Sequence, residues 1–109
     1  MPTLDESAKG VFAIAATPFA EDGALDLEST DRMVKFYLDS GVSGLTILGI
    51  MGEAHKLAPE ESVAFTKRVM AAVDGKVPVI VGVSSPAFNP MKDLTNQVME
   101  LGAAGVMVA

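Results

Sequence analysis

The sequence predicts an α/β protein in which parallel strands alternate with helices. Apolar runs without polar alternation occupy residues 11–16, 45–48, 77–83 and 105–109, a pattern typical of strands buried on both faces of a parallel sheet. Segments in which apolar residues recur at helical spacing separate these runs. The order is therefore βαβαβαβ, with repeating units of about 30 residues, and it implies right-handed crossovers.

The first unit begins with the run at 11–16, which Thr17-Pro18 ends because proline cannot continue a central strand. Asp26 is predicted to cap the first helix by accepting amide protons of its first turn. Gly41 is predicted to end that helix. The apolar face of the helix is predicted to consist of Leu27, Met33, Val34, Phe36, Tyr37 and Leu38.

The second unit places a loop, Gly49-Ile50-Met51-Gly52-Glu53, after the strand at 45–48. Pro59 is predicted at the first position of the second helix, with acidic residues following it near the positive end of the helix dipole. Gly75 is predicted to end this helix. Its buried stripe is predicted to be Val63, Val69, Met70 and Val73.

In the third unit, Asn89 is predicted to cap a helix whose first residue is Pro90. The apolar face of this third helix is predicted to be Met91, Leu94, Val98 and Leu101. Gly102 closes the helix, and a fourth strand starts at Gly105 with Met107 expected in the core.

Two architectures fit this order of elements. One is a small doubly wound sheet with a ligand at a strand-order switch point. The other is the N-terminal half of a (β/α)₈ barrel, with residues 1–109 as a single partial domain. A whole barrel needs about 250 residues, so this second architecture implies a longer protein or completion by association.

Composition excludes several classes of function. The net charge is −6, with 8 basic against 14 acidic residues and no basic cluster, which argues against nucleic-acid binding. No apolar run approaches the roughly 18 residues of a membrane span. The chain has no cysteine, so disulfides and thiolate metal sites are excluded. Residues 1–10 do not resemble a signal peptide, which favours a cytoplasmic location.

Several motifs, in this order and at these intervals, resemble a known family. They are Ala16-Thr17-Pro18-Phe19, Gly41-Val42-Ser43-Gly44-Leu45, Leu48-Gly49-x-x-Gly52-Glu53-Ala54 with Leu57 and Glu61, Val77-Pro78-Val79-Ile80-Val81-Gly82, and Gly102-Ala103-Ala104-Gly105. From about Gly10 to Ala109 the chain is similar to the N-terminal part of the dihydrodipicolinate synthase / N-acetylneuraminate lyase family.

The resemblance implies a (β/α)₈ barrel, usually tetrameric, that uses a class I aldolase mechanism without metal or organic cofactor. A lysine amine of such enzymes forms a Schiff base with pyruvate or another 2-oxo acid, and a tyrosine relays protons. Both residues lie on later strands, and are expected beyond Ala109. The resemblance assigns the substrate carboxylate to Thr17, Gly49, Ile50, Met51 and Gly52, and gives Glu53 the role of organising the loop.

The loop departs from the family pattern at two positions. The family usually has threonine or serine where this chain has Ile50 and Met51. Without these hydroxyls the loop lacks two side-chain hydrogen bonds to a carboxylate, each worth about 1.5–3 kcal/mol. The backbone amides remain as donors, and Thr17 is expected to compensate in part for the lost bonds. This favours a family lyase or aldolase of unassigned substrate over the synthase activity itself.

The remaining polar residues have simpler interpretations. A Schiff-base lysine must be desolvated, whereas all six lysines fit solvated positions: Lys9, Lys35, Lys56, Lys67, Lys76 and Lys92. His55 is expected to be surface, without enough neighbouring ligands for a metal site. Ser84 and Ser85, after the third strand, either contact a ligand or only form a loop.

Two further functions stay open at this stage. A half barrel that ends on a bare fourth strand exposes sheet edges and invites pairing, so the protein is alternatively a non-catalytic half barrel that self-associates or binds a small anion. The other is a doubly wound binding domain unrelated to the lyases.

Overall fold

A computed structural model describes residues 3–109 and contains one four-stranded sheet. All neighbouring strands are parallel, and their spatial order is the order of the chain. In chain order the elements are β1 (Phe12–Ile14), α1 (Leu27–Asp39), β2 (Gly44–Ile47), a 3₁₀ helix (Ala54–Lys56), α2 (Pro59–Val73), β3 (Val79–Gly82), α3 (Phe88–Glu100) and β4 (Gly105–Met107).

This strand order decides between the two predicted architectures. A doubly wound sheet reverses its strand order at a switch point, and the order β1-β2-β3-β4 contains no reversal. The doubly wound prediction is therefore wrong. Consecutive parallel strands joined by helices are the arrangement of a partial (β/α)₈ barrel, as the second architecture predicted.

The strands are shorter than the apolar runs, and only two of them are buried on both faces. β2 and β3 are almost wholly buried, whereas Ile14 of β1 and Met107 of β4 are exposed. The prediction of two-sided burial is wrong for β1 and β4 because each lies at an edge of the described sheet. β2 ends one residue earlier than predicted because Leu48 adopts a positive φ of 57°.

Local sequence signals set the start of α1 and α2. The Asp26 carboxylate accepts the Ser29 amide proton at 2.9 Å, as a capping aspartate does. Pro59 is the first residue of α2, as predicted, and the carboxylate of Glu61 reaches back to the Ala58 amide at 2.9 Å. Both predicted helix starts are confirmed.

The predicted start of α3 is wrong. The helix begins at Phe88, and its N-cap is Ala87, whose side chain makes no capping hydrogen bond. Asn89 and Pro90 therefore lie inside the first turn. Proline is tolerated there because the amides of the first turn have no partner within the helix.

One hydrophobic core joins the helices to the central strands. It contains Leu45, Ile47, Val79 and Val81 from the sheet and Val34, Phe65, Val69, Val73 and Val98 from the helices. The predicted stripe of α2 omitted Phe65, which is fully buried. Phe36 was wrongly placed on the buried face of α1. It follows the buried Val34 by two residues, about 200° around the helix, and is exposed.

A bidentate ion pair links the outer faces of α1 and α2. The Arg68 guanidinium donates to both carboxylate oxygens of Asp31 at 2.8 Å. The bond from Arg68 lowers the pKa of Asp31 below its ordinary value, and the pKa of Arg68 is raised by the same contact. The pair is partly exposed, so it fixes the helix spacing more than it stabilises the core.

Candidate functional site

The loop after β2 is held in a tight conformation at the carboxyl edge of the sheet. Leu48 and Glu53 both have positive φ values, 57° and 54°. The Leu48 carbonyl oxygen passes so close to β3 that a Cβ at Gly82 would lie 2.1 Å from it. A Cβ at Gly52 would lie 3.0 Å from the Leu48 nitrogen. Glycine is therefore required at position 82 and strongly favoured at 52.

The amides of this loop divide into two groups. Gly52 donates to the Gly49 carbonyl at 3.1 Å, and Glu53 donates to the Ile50 carbonyl at 3.0 Å. Within residues 3–109, the amides of Gly49, Ile50 and Met51 have no hydrogen-bond partner. Three consecutive amides of the loop are thus without a partner in the described chain, and successive amides can bind anions where they converge.

Thr17 connects the tip of β1 to the loop. Its side chain is buried, and its hydroxyl donates to the Gly52 carbonyl at 2.6 Å. A threonine hydroxyl has a single proton, so in this arrangement none is left to donate to a carboxylate. Thr17 therefore positions the loop, and direct compensation for the missing hydroxyls would require this bond to break.

The Glu53 side chain pairs with a lysine three residues further along the chain. Its carboxylate accepts a bond from the Lys56 ammonium at 2.5 Å and makes no capping bond to the 3₁₀ helix that follows. The bond from Lys56 lowers the pKa of Glu53. The side chain accepts no amide of the loop, and the backbone at Glu53 is left-handed, with a φ of 54°. Whether the residue organises the loop stays a prediction.

A cleft of about 440 Å³ opens beside the loop. Ile50 and Met51 project at its rim with 85% and 66% of their surface exposed. The residues that line it are Ile14, Leu48, Gly49, Ile50, Met51, Ala54, His55, Gly82, Ser84, Met107 and Ala109. Of the predicted binding residues, Gly49, Ile50 and Met51 line the cleft, whereas Thr17 and Gly52 do not.

Sequence reasoning missed two side chains of this cleft. Ile14 was assigned to a doubly buried strand and Met107 to the core, yet both line the cleft. The sequence carried no signal for this, because the apolar runs extend to residues 16 and 109, whereas in the structure β1 ends at Ile14 and β4 at Met107, at the carboxyl edge of the sheet.

His55 lies between two clefts. It lines the 440 Å³ cleft and a neighbouring one of about 620 Å³ bounded by α2, α3 and the loop after β3. Ser84 lies in both clefts, and its hydroxyl oxygen accepts the Ala109 amide proton at 2.8 Å. Ser85 lines only the second cleft.

Residues 3–109 contain no cluster of three side chains that could hold a metal ion. None of the described helices has the length and apolar character needed to cross a membrane. All six lysines are exposed, which confirms their predicted solvated positions.

The arrangement of loop, strands and cleft agrees with the resemblance seen in the sequence. A model of the dihydrodipicolinate synthetase family matches residues 7–109. The chain belongs to this family.

Relatives of this chain support the family assignment in sequence and in structure. A 4-hydroxy-tetrahydrodipicolinate synthase of Thermotoga neapolitana is 40% identical over 100 residues, which cover 92% of this chain and 34% of that protein. The crystal structure of a dihydrodipicolinate synthase from Rhodopseudomonas palustris superposes with a TM-score of 0.94 at 45% identity, and the match covers 99% of this chain and 36% of that one.

A third relative was solved with a ligand. It is a prophage protein of the dihydrodipicolinic acid synthase family from E. coli K12, in complex with pyruvate. It superposes with a TM-score of 0.87 at 31% identity, covering 91% of this chain and 33% of that one. The chain thus spans about a third of the length of the relatives it matches.

Proposed function

We propose that this chain is the substrate-carboxylate-binding part of a class I lyase or aldolase that acts on pyruvate or another 2-oxo acid. The observation that supports the proposal is the set of unpartnered amides of Gly49, Ile50 and Met51, beside a cleft at the carboxyl edge of the sheet. Active sites of (β/α)₈ barrels lie at this edge. The relative solved with pyruvate belongs to the same family.

In this proposal the backbone binds the carboxylate, because the side chains of the loop cannot donate hydrogen bonds. Ile50 and Met51 replace the two hydroxyl residues, and the Thr17 hydroxyl is engaged by the Gly52 carbonyl. Thr17 and Gly52 contribute by holding the donors in place. Glu53 organises the loop through its backbone conformation and its pairing with Lys56.

The covalent chemistry belongs to residues beyond Ala109. A Schiff base forms when a lysine amine adds to the ketone carbon of the 2-oxo acid and water leaves. That amine must be unprotonated, which requires burial or a neighbouring cation. The six lysines of this chain are all exposed and do not meet the requirement. The proton-relay tyrosine is likewise expected beyond Ala109, and the reaction needs no cofactor.

The test is the intact mass of the protein from its natural source after treatment with pyruvate and borohydride. Borohydride adds hydride to the imine and fixes the substrate on the lysine as a secondary amine. We expect one adduct on a protein well over twice the mass of this chain, which is 11.3 kDa. Absence of an adduct with several 2-oxo acids would refute the proposal, and an adduct on one of the six lysines would refute its division of roles.

The alternative is a non-catalytic half barrel that self-associates or binds a small anion. The observation that favours it is the exposure of Val11, Ile14 and Val108 along the two edge strands and their ends, since bare strand edges and apolar patches promote pairing. A well-folded monomer in sedimentation would exclude the self-associating form of this alternative. With the leading function we also propose that the protein is cytoplasmic. We propose further that it forms a homo-oligomer, usually a tetramer in this family.

A further inference from the structure

Two residues with a left-handed backbone bracket the loop after β2. Among residues 3–109, three residues other than glycine have a positive φ: Leu48, Glu53 and Asp74. Asp74 is the C-cap of α2, and left-handed residues are common at helix ends. Leu48 and Glu53 stand directly before and after Gly49–Gly52. This conformation is unfavourable for a bulky side chain such as that of Leu48 and persists only where the surrounding structure imposes it.

Two glycines pack against the backbone of Leu48 and Gly49. Gly82 is the last residue of β3, and a Cβ there would overlap the Leu48 carbonyl group. Gly52 meets the other end of Leu48, where a Cβ would lie 3.0 Å from the nitrogen and 3.2 Å from the Cα. A Cβ at either glycine would also lie 3.3 Å from the Gly49 nitrogen. The peptide that leads into the loop is therefore held at both ends by backbone, in a space that a side chain would fill.

The groups that hold this peptide are themselves fixed by the fold. Gly82 belongs to β3, which pairs in parallel with β2. Gly52 is buried, and its carbonyl accepts the Thr17 hydroxyl proton at 2.6 Å. The side chain of Leu48 is 3% exposed and belongs to the hydrophobic core. Because β2 and β3 are the inner strands of the described sheet, these contacts lie away from its edges.

We infer that Gly82, on the neighbouring strand, is a positioning residue for the proposed carboxylate site and acts together with Gly52 through the backbone of Leu48 and Gly49. This role rests on the proposed function, because it concerns the same loop. The Gly49 amide is the first of the three without a partner in the described chain, and it is the amide that both glycines approach. A methyl group at either position would displace this amide or cover it.

The experiment compares glycine-to-alanine variants of the intact protein in borohydride trapping with pyruvate, or with a longer 2-oxo acid if the wild-type protein traps only that. For Gly82→Ala and Gly52→Ala we expect the half-saturating concentration to rise about tenfold or more, as for the loss of one hydrogen bond to a charged group. At saturation the variants should still reach one adduct per chain, because the reacting lysine is not altered. Gly52→Ala introduces the milder contact, 3.0 Å at its closest, and gives the answer even if Gly82→Ala does not fold.

Gly44→Ala is the matched control. Gly44 is the first residue of β2, at the opposite end of that strand from the loop. A Cβ there would overlap the ring of Phe12, so the variant adds the same methyl group to the same sheet without touching the loop. It should lower the urea midpoint and leave the half-saturating concentration unchanged.

The outcomes separate the positioning role from the function on which it rests. A wild-type protein that traps no 2-oxo acid would overturn the proposed function and the positioning role together. A wild-type protein that traps the acid, with the same half-saturating concentration in the folded Gly82 or Gly52 variant, would overturn the positioning role alone. An equal rise in Gly44→Ala would also overturn it, because the effect would then follow from a general loss of stability.

Discussion

Replacing Thr17 with valine removes one hydrogen bond and nearly preserves the shape of the side chain. Thr17 is 4% exposed, and its hydroxyl donates to the carbonyl of Gly52, which is also buried. No backbone amide of residues 3–109 donates to that carbonyl. The variant therefore leaves a buried acceptor without its partner, and the free energy of unfolding should fall by about 1–3 kcal/mol.

Urea denaturation of the intact protein measures this loss, with Thr66→Val as the matched control. Thr66 is fully buried, and its hydroxyl donates to the Ser62 carbonyl at 2.8 Å. That carbonyl lies inside α2, where it also accepts the amide four residues along. The control leaves no orphaned acceptor, so its cost should stay below about 1 kcal/mol.

The same variant tests whether the bond from Thr17 holds the binding loop. Release of Gly52 loosens the amides of Gly49 to Met51, so the half-saturating 2-oxo acid concentration in borohydride trapping should rise. The final extent of labelling should stay the same, because the reacting lysine is not touched. Equal stability losses for Thr17→Val and Thr66→Val, with unchanged trapping, would refute the role of the Thr17 hydroxyl.

Three further perturbations test the packing and charge arguments. Phe65→Ala should lower the free energy of unfolding by about 3–5 kcal/mol, whereas Phe36→Ala should leave it nearly unchanged in the same urea titration. Gly82→Ala should destabilise the protein by about 3 kcal/mol or more, because the new Cβ would meet a backbone carbonyl at 2.1 Å; a fully stable variant would contradict that geometry. Arg68 lowers the pKa of Asp31, so the pair stabilises the fold above the ordinary aspartate pKa of about 3.9 and loses this effect as the pH falls through the lowered value. Asp31→Asn should therefore lower the urea midpoint at neutral pH and low salt, and the difference from wild type should close in acid.

The sequence was sufficient for features set by local rules. Asp26 and Pro59 start their helices as predicted, because a capping carboxylate and a fixed proline φ act within one turn. The same local rule failed at Asn89, because proline is also tolerated one or two positions further into a helix. Phe65 was missed and Phe36 misplaced because a count of apolar residues does not by itself fix which side of a helix faces the sheet.

The candidate site was predictable in outline and unpredictable in its bonding. The glycine-framed loop located the donors, because glycine spacing and the preceding strand are visible in the sequence. The hydrogen-bond partners of Thr17 and Glu53 were not predictable, because these bonds depend on side-chain geometry within the folded loop. The partner of Thr17 also lies 35 positions away in the sequence. The roles of Ile14 and Met107 required the strand ends to be placed side by side.

By itself the sequence determined the alternation of strands and helices, the position of the glycine-framed loop after β2 and the family. These follow from periodicity, glycine and proline placement, and motif spacing, which act over short stretches of chain. Only the tertiary structure decided that the strand order runs without reversal, that the Thr17 hydroxyl is engaged by the loop, and that Gly82 packs against the backbone of Leu48. Each of these depends on contacts between residues distant in sequence, which no local pattern records.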